Sequence, residues 1–304
     1  MFPKFLPAAV AQLSDATSIA LAQQIQQTAI ATPLSDRAVT TTYVKQGTGE
    51  PPILLLHGFD SSVLEFRRLL PLLVEQSETW AVDLLSFGFT DRRPNLPVTP
   101  AAIKAHLYAF WQTQINRPVT LVGASMGGAV AIDFALTHPD CVAQLVLLDS
   151  AGFAQGPDLS RLMVPPLGLL ATAFLRNANV RRRISESAYC DRTLNTPDAQ
   201  LCASLHVKQP GWSQATIAFT RSGGYSNAFG DRIAQISQPT LIVWGKADRI
   251  LGTDDAERFA NAIATNQLVW IEQCGHVPHL EKPQQVAAAI QAFRASLPTR
   301  TSTG

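Results

Sequence analysis

The chain has 304 residues, enough for one large α/β domain with an insertion and a sizeable buried core. Its 24 Lys and Arg side chains nearly balance 23 Asp and Glu, for a formal charge of +1, so it lacks the basic excess of a nucleic-acid binder. Cys141, Cys190, Cys202 and Cys274 form no C-x-x-C pair, which argues against a zinc site and for reduced thiols in a cytoplasmic-type compartment, and no apolar run reaches the roughly 18 residues of a spanning helix.

Residues 1–34 read as a helical extension. Ser14 or Asp15 can cap a helix that carries no charge from Ala16 to Thr32 and sets Ile19, Ala22, Ile25 and Ala29 on one face. The favoured expectation is packing against the main domain. The other is a weak interfacial anchor built on Phe2, Phe5 and Leu6, although the lysines and arginines that such helices carry are missing. A secretory signal fits less well, because its apolar centre is short and broken by Pro7.

Residues 35–151 and 232–304 are expected to form one core. Ala38 to Lys45 suggests an early strand, and Pro51 to Leu56 is a continuous apolar run, as a parallel strand buried on both faces requires. It stops at His57-Gly58-Phe59-Asp60, and a helix is expected from Ser61 or Ser62 through Leu73. A second buried strand spans Thr79 to Leu84, and Pro100 opens a helix to about Ile115. The strand Pro118 to Val122 then enters Gly123-Ala124-Ser125-Met126-Gly127, and a small-residue helix leaves it. After it, Val142 to Leu148 reads as a strand ending at Asp149.

Between residues 152 and 231 the alternation breaks. Leu159 to Arg183, Pro197 to Val207 and Gly211 to Arg221 look helical and amphipathic, so this segment is expected to be a helical cap, or lid, inserted between two strands. Leu162 to Leu170 is too apolar and too proline-broken for an ordinary surface helix, and reads equally as cap-to-core packing or as a greasy entrance. Arg181-Arg182-Arg183 reads as a solvated face, with contact to anionic lipid or an acidic partner as the minority reading. The sheet resumes at Pro239 to Trp244 and Gln267 to Ile271, a helix runs from Pro283 to Ser296, and the tail from Pro298 is expected to be disordered. Alternating strands and helices imply a mostly parallel sheet with helices on both faces, the α/β class.

Gly-x-Ser-x-Gly between strand and helix is the pattern of a nucleophile elbow, in which a strained turn lifts the serine hydroxyl off the sheet edge. A nucleophilic serine needs a histidine base and an acid to hold the imidazole. In chain order the candidates are Ser125, Asp248 and His276, each after a strand end. Asp149 is the competing acid, disfavoured because it leads straight into the insertion. His279 is assigned a structural or pocket-lining role, and Asp83 and Asp91 the fixing of the Phe87-Gly88-Phe89 turn. His57 shapes the loop before the Phe59 N–H, which with the Met126 N–H would form an oxyanion hole. The substrate pocket is expected to draw on His57, Phe153, Leu162, Met163, Leu167 and Val277. No metal or organic cofactor is expected, because the one glycine-rich turn is neither G-x-G-x-x-G nor a P-loop.

From about residue 38 to 296 the elbow, His57-Gly58, Asp248 and Gly275-His276-Val277-Pro278-His279 resemble the α/β-hydrolase superfamily. His57 to Ser62, Leu64-Glu65-Phe66-Arg67-Arg68, Trp80 to Asp83 and Phe87-Gly88-Phe89 look more narrowly like the chlorophyll dephytylase group of plant plastids and cyanobacteria. Ser86 departs from that group, where glycine is frequent, and puts the shape of this turn in question. The resemblance implies hydrolysis of chlorophyll to chlorophyllide and phytol, a lipophilic ester as partner, and a location peripheral to the thylakoid membrane, with contact through the cap or the N-terminal helix. Two alternatives stand beside it: a hydrolase of another lipophilic ester or of a carbon–carbon bond of the meta-cleavage type, and a non-catalytic ligand binder on the same fold.

Overall fold

A computed structural model describes residues 1–153, 160, 163–225 and 229–296. In chain order the helices and strands are α1 (Ala16–Gln24), β1 (Gln26–Thr32), β2 (Ser35–Gln46), β3 (Ile53–Leu56), α2 (Leu70–Leu73), β4 (Thr79–Val82), α3 (Pro100–Gln114), β5 (Val119–Ala124), α4 (Met126–Thr137) and β6 (Val142–Leu148). There follow α5 (Leu167–Arg176), α6 (Ala178–Ala188), α7 (Pro197–Cys202), α8 (Trp212–Arg221), β7 (Thr240–Gly245), α9 (Asp254–Ala262), β8 (Asn266–Ile271), α10 (Pro278–Glu281) and α11 (Pro283–Ala295).

One eight-stranded sheet runs in the order β1-β2-β4-β3-β5-β6-β7-β8. The β1–β2 and β2–β4 pairs are antiparallel and the remainder parallel. Strand β3 shows why an unbroken apolar run is needed. Leu54 and Leu56 enter the core layer shared with α3, α4 and α9, while Ile53 and Leu55 enter the layer shared with α1, α2 and α11. Thr99 caps α3 through its side-chain oxygen and Pro100 supplies the first helical residue, so the expected start is the observed one.

The N-terminal extension departs from expectation. Asp15 does cap α1, but the helix stops at Gln24, and Gln26–Thr32 is an edge strand rather than more helix. Thr28, Ile30 and Thr32 alternate with period two, Ile30 is buried, and the hairpin to β2 satisfies the backbone that a helix would otherwise have paired. The anchor reading fails as well: Leu6 is buried and Phe2 and Phe5 pack beside it on the second core layer. The Asp198 carboxylate of α7 accepts from the Ser14 and Asp15 N–H groups and from the Ser18 hydroxyl, which fastens the extension to the insertion.

Two single helices expected from the sequence are each divided. Val63–Phe66 is a 3-10 turn that precedes α2. The stretch to Arg183 splits at Asn177, which leaves helical geometry and caps α6 with its side chain. The tail beyond Ser296 lies outside the described residues. Among the described residues no helix is long and apolar enough to cross a membrane, and the four cysteines are unpaired.

Candidate active site

Parallel pairing brings the ends of β3, β5, β6, β7 and β8 to one edge of the sheet, and every expected site loop begins there. Ser125 joins β5 to α4 with φ of +52°, a left-handed conformation that is costly for a residue bearing a Cβ. The turn closes so tightly that a Cβ on Gly123 would collide with the Gly127 backbone, and one on Gly127 with the Leu56 carbonyl. The elbow thus needs both glycines for space, not only for flexibility.

His276 Nε2 lies 2.9 Å from Ser125 Oγ, and His276 Nδ1 lies 2.9 Å from Asp248 Oδ2. The other Asp248 oxygen accepts from the Ile250 and Leu251 N–H groups at 2.7 and 3.2 Å, which fixes the carboxylate. The Ala188 carbonyl, at the end of α6, accepts from the His276 N–H at 2.7 Å. A chain of this kind can take a proton from the hydroxyl as it attacks and can hold the imidazole in one tautomer.

Asp149 sits beside this chain at the end of β6, with φ of +40°. Its Oδ1 accepts from the Gly245 N–H at 3.0 Å, and its carboxyl, Asp248 and His276 bring ligand-type atoms within 4.8 Å of one another. Burial, reinforced by the Asp248 charge, holds the Asp149 carboxyl well above the usual carboxylate range. Among the described residues this is the grouping with metal-ligand spacing. Asp248 and His276 already bond to each other within it.

The loop after β3 passes directly over the serine: a Cβ on Gly58 would lie 3.4 Å from Ser125 Cβ. Phe59 follows Gly58 on this loop, and Met126, next to Ser125 in the chain, is the first residue of α4. His57 is wholly buried. Its Nδ1–H donates to the Gly58 carbonyl at 2.7 Å, while its Nε2 accepts from the Leu84 N–H at 3.1 Å. Burial lowers its pKa to about 4, so it stays neutral and acts as a strut. Asp83 accepts from the Val63 and Phe89 N–H groups at 2.7 and 2.6 Å, holding the 87–89 turn as expected, and burial pushes its carboxyl up to about 7. Asp91 instead pairs with Arg93 at 2.7 Å. Ser86 adopts φ of +64°, the geometry for which glycine is suited, and its buried hydroxyl has no partner.

The serine opens into a cavity of about 910 Å³ lined by Phe59, Leu175, Ile184, Tyr189, Leu201 and Val277, among others. Of the five expected pocket residues that are described, only Val277 lines it. His57 is withdrawn behind the loop, and Phe153 packs on Phe259 and under Arg258. Met163 is half-buried and Leu167 is exposed, and neither lines the cavity; Leu162 is outside the described residues.

Several residues escaped the sequence reading. Asp60, at φ +51°, accepts from His206 Nε2 at 2.9 Å and Trp212 Nε1 at 2.7 Å, and pairs with Arg181 at 2.6 Å, so Arg181 is not part of a solvated face. Burial alone would raise Asp60, but His206 and Arg181 hold it below the carboxylate range. Glu65 accepts from the Gly58 N–H at 3.0 Å and pairs with His279, also at 3.0 Å; against the upward pull of burial, His279 holds it at about 2. Glu281 accepts from Gly275, Cys190 and Asp191 N–H groups. An acid one residue past Phe59 was the available sign for Asp60; nothing local marked the others.

Residues 53–289 match the family model described as Alpha/beta hydrolase family. The alpha/beta hydrolase domain-containing protein VTE7 of Arabidopsis thaliana is 32% identical over 299 residues, covering 96% of this chain and 90% of its own length. A 2-hydroxy-6-oxo-6-(2'-aminophenyl)hexa-2,4-dienoic acid hydrolase of Metapseudomonas resinovorans is 28% identical over 264 residues, covering 84% of this chain and 87% of its own. Among solved structures, a thermophilic esterase from Thermogutta terrifontis superposes with a TM-score of 0.76 at 24% identity, over 89% of this chain and 98% of that one, a likeness of fold. With residues 53–289 spanned by that family, well over half of the sequence, the chain is a hydrolase that belongs to the alpha/beta hydrolase family.

Proposed function

We propose that the protein hydrolyses a lipophilic carboxylic ester, and that its substrate is the phytyl ester of chlorophyll. The observation that carries the reaction class is the hydrogen-bonded chain Ser125–His276–Asp248 at the wall of a largely apolar cavity. Ser125 Oγ attacks the ester carbonyl as His276 Nε2 takes its proton, and Asp248 stabilises the imidazolium. The Phe59 and Met126 N–H groups receive the oxyanion; loss of one such donor costs roughly 2.7–4 kcal/mol of barrier in enzymes of this kind. His276 returns the proton to the departing alcohol, and a water it then activates releases the acid. Residues 152–231 act as the cap, since α6 contributes Ile184 and Ser185 to the cavity wall. The phytyl-ester assignment is supported by the motif resemblance at His57 to Ser62 and Phe87 to Phe89 together with the apolar wall.

The test is incubation of purified protein with chlorophyll a in mild detergent, with products separated by chromatography and Ser125→Ala alongside. Chlorophyllide from the wild type alone is the expected result. Turnover of short p-nitrophenyl esters without chlorophyllide keeps the nucleophile and removes the pigment. Turnover of a meta-cleavage dienoate in place of either moves the reaction to a carbon–carbon bond.

A further inference from the structure

An ordinary surface helix turns its large apolar side chains inward and its polar ones to water. Helix α5 does the reverse. Gly168 and Thr172 are its buried residues, with Gly168 close against Ile217 of α8. Leu167, Leu169, Leu170 and Phe174 stand 49, 52, 62 and 64% exposed. Leu167, Leu170 and Phe174 follow the i, i+3, i+7 spacing of a single helix face. Val164 just before the helix and Ile184 on α6 are also exposed, at 42 and 50%. Exposed apolar residues scattered singly need no explanation, but a contiguous group of this size marks a surface that is covered in use.

Charge and position say by what. The exposed charged side chains of α5 and α6 are Arg176, which packs over the Trp212 ring and donates to Ser213 Oγ at 3.2 Å, and Arg182 and Arg183 on α6. The single acid on these two helices, Glu186, is paired with Arg182 at 3.8 Å. Leu175 and Ile184 line the cavity that contains Ser125, so the apolar face continues into the cavity mouth. An apolar helix face with exposed arginines, Arg182 and Arg183, on the neighbouring helix is the chemistry of an interfacial surface lying on anionic lipid.

We propose that the α5–α6 face docks the protein on a membrane that contains anionic lipid. The inference rests on the reading of the substrate as a lipophilic ester: docking sets the cavity mouth against the layer in which such an ester dissolves. Leu167, Leu170 and Phe174 enter the headgroup–acyl boundary while Arg183 meets a lipid phosphate. The N-terminal segment takes no part, because Phe2, Phe5 and Leu6 are committed to the core.

The experiment is co-sedimentation of the full chain with vesicles of phosphatidylcholine alone and of phosphatidylcholine mixed with phosphatidylglycerol, at low and high salt. Binding to the mixed vesicles, weakened by salt, is the expected result. Leu170→Glu/Phe174→Glu is expected to weaken it by at least about tenfold, and Leu170→Ser/Phe174→Ser to do the same without added charge. Arg183→Glu is expected to weaken it less, and kcat on a short soluble ester is unchanged in all three. Equal binding to both vesicle types, or binding indifferent to the paired substitutions, overturns the proposal. So does a dimer in solution, without vesicle binding, that the same substitutions dissociate, since that gives the face to a second copy. Sedimentation reads no turnover: a chain that binds vesicles and hydrolyses no ester overturns the functional reading alone.

Discussion

Asp60 accepts a hydrogen bond from His206 Nε2 at 2.9 Å across the joint between the loop after β3 and the helical insertion. With Trp212 Nε1 and the Arg181 guanidinium on the same carboxylate, three side chains of the insertion converge on the residue that follows Phe59. The Phe59 ring also stacks on Phe219 of α8, with centroids 5.8 Å apart. The position of the loop and the position of the insertion are therefore set together. Asp60→Ala leaves two ring N–H groups without their acceptor and the mostly buried Arg181 guanidinium with the Ala203 carbonyl but no counter-charge, a class of change that costs up to roughly 3–5 kcal/mol. We expect kcat/KM to fall at least about tenfold and Tm to drop, with Asp60→Asn intermediate because it keeps an acceptor oxygen. Unchanged kinetics in a folded Asp60→Ala protein would show that the loop holds its geometry without the insertion.

Asp149 and Asp248 supply the second test. Two carboxyls sharing a buried site cannot both ionise cheaply, so Asp149, already raised by burial, keeps its proton. A carboxyl raised in the folded state favours folding at low pH, and that advantage is lost as pH rises above its unfolded value of about 3.8. Asp149→Asn is neutral at every pH and retains a donor. It is expected to raise Tm at pH 8, to raise it less or not at all at pH 4, and to hold kcat within about threefold. Asp149→Leu keeps the volume and removes the polar contact, and kcat should fall as Asp248 loses its neighbour. A pH-independent change in Tm for Asp149→Asn would mean that Asp149 is ionised in the native protein.

The division between legible and illegible parts follows from sequence separation. Strands β3, β5, β6 and β7 are apolar on both faces, and such runs announce themselves locally. The elbow glycines form an equally local signal as a spacing, although only Gly123 is required by a clash within the turn itself; Gly127 is required by the Leu56 carbonyl of strand β3. Edge strand β1 buries little more than Ile30, so its alternation competed with an equally plausible helical spacing. The struts of the site join residues far apart in the chain: Asp60 meets His206 across 146 positions, and Gly275 meets a carboxylate that also binds Cys190, on the insertion. The stripe on α5 was visible as spacing, but whether it faces the core or water depends on what packs against Gly168 and Thr172, which no local pattern records.

Acid should destabilise the fold through histidines that are buried without charge. His106 contacts Thr41 Oγ1 at 2.8 Å, and burial lowers its pKa from 6.5 to about 4. Between those values the unfolded chain binds a proton that the folded chain refuses, so stability falls as pH drops from 6.5 towards 4. The shift corresponds to about 3 kcal/mol at the lower end. His57 adds a similar component over the same range. His106→Gln, able to keep a bond to Thr41, should flatten the dependence of unfolding free energy on pH in this window by up to one proton while leaving stability at pH 8 nearly unchanged. Denaturant titrations of both proteins at several pH values read the slope directly. An unaltered slope would mean that His106 is protonated in the native state.

Glu281 fixes the other side of the Ser125–His276 contact. Its Oε2 accepts from the Gly275 N–H at 2.8 Å and the Cys190 N–H at 3.1 Å, and its Oε1 from the Asp191 N–H at 2.7 Å. The loop that carries His276 is thus tied to the end of α6 through one carboxylate, in addition to the bond from the His276 N–H to the Ala188 carbonyl. Glu281→Ala leaves three N–H groups without their acceptor, at roughly 1–3 kcal/mol for each that water does not reach. Because the imidazole is then held less firmly while the cavity wall is unchanged, kcat should fall by about tenfold or more and KM should change little. Glu281→Gln, with one acceptor oxygen in place of two, should lie between. A drop in Tm with kcat untouched would assign Glu281 to stability alone and leave the Ala188 carbonyl as what positions the histidine.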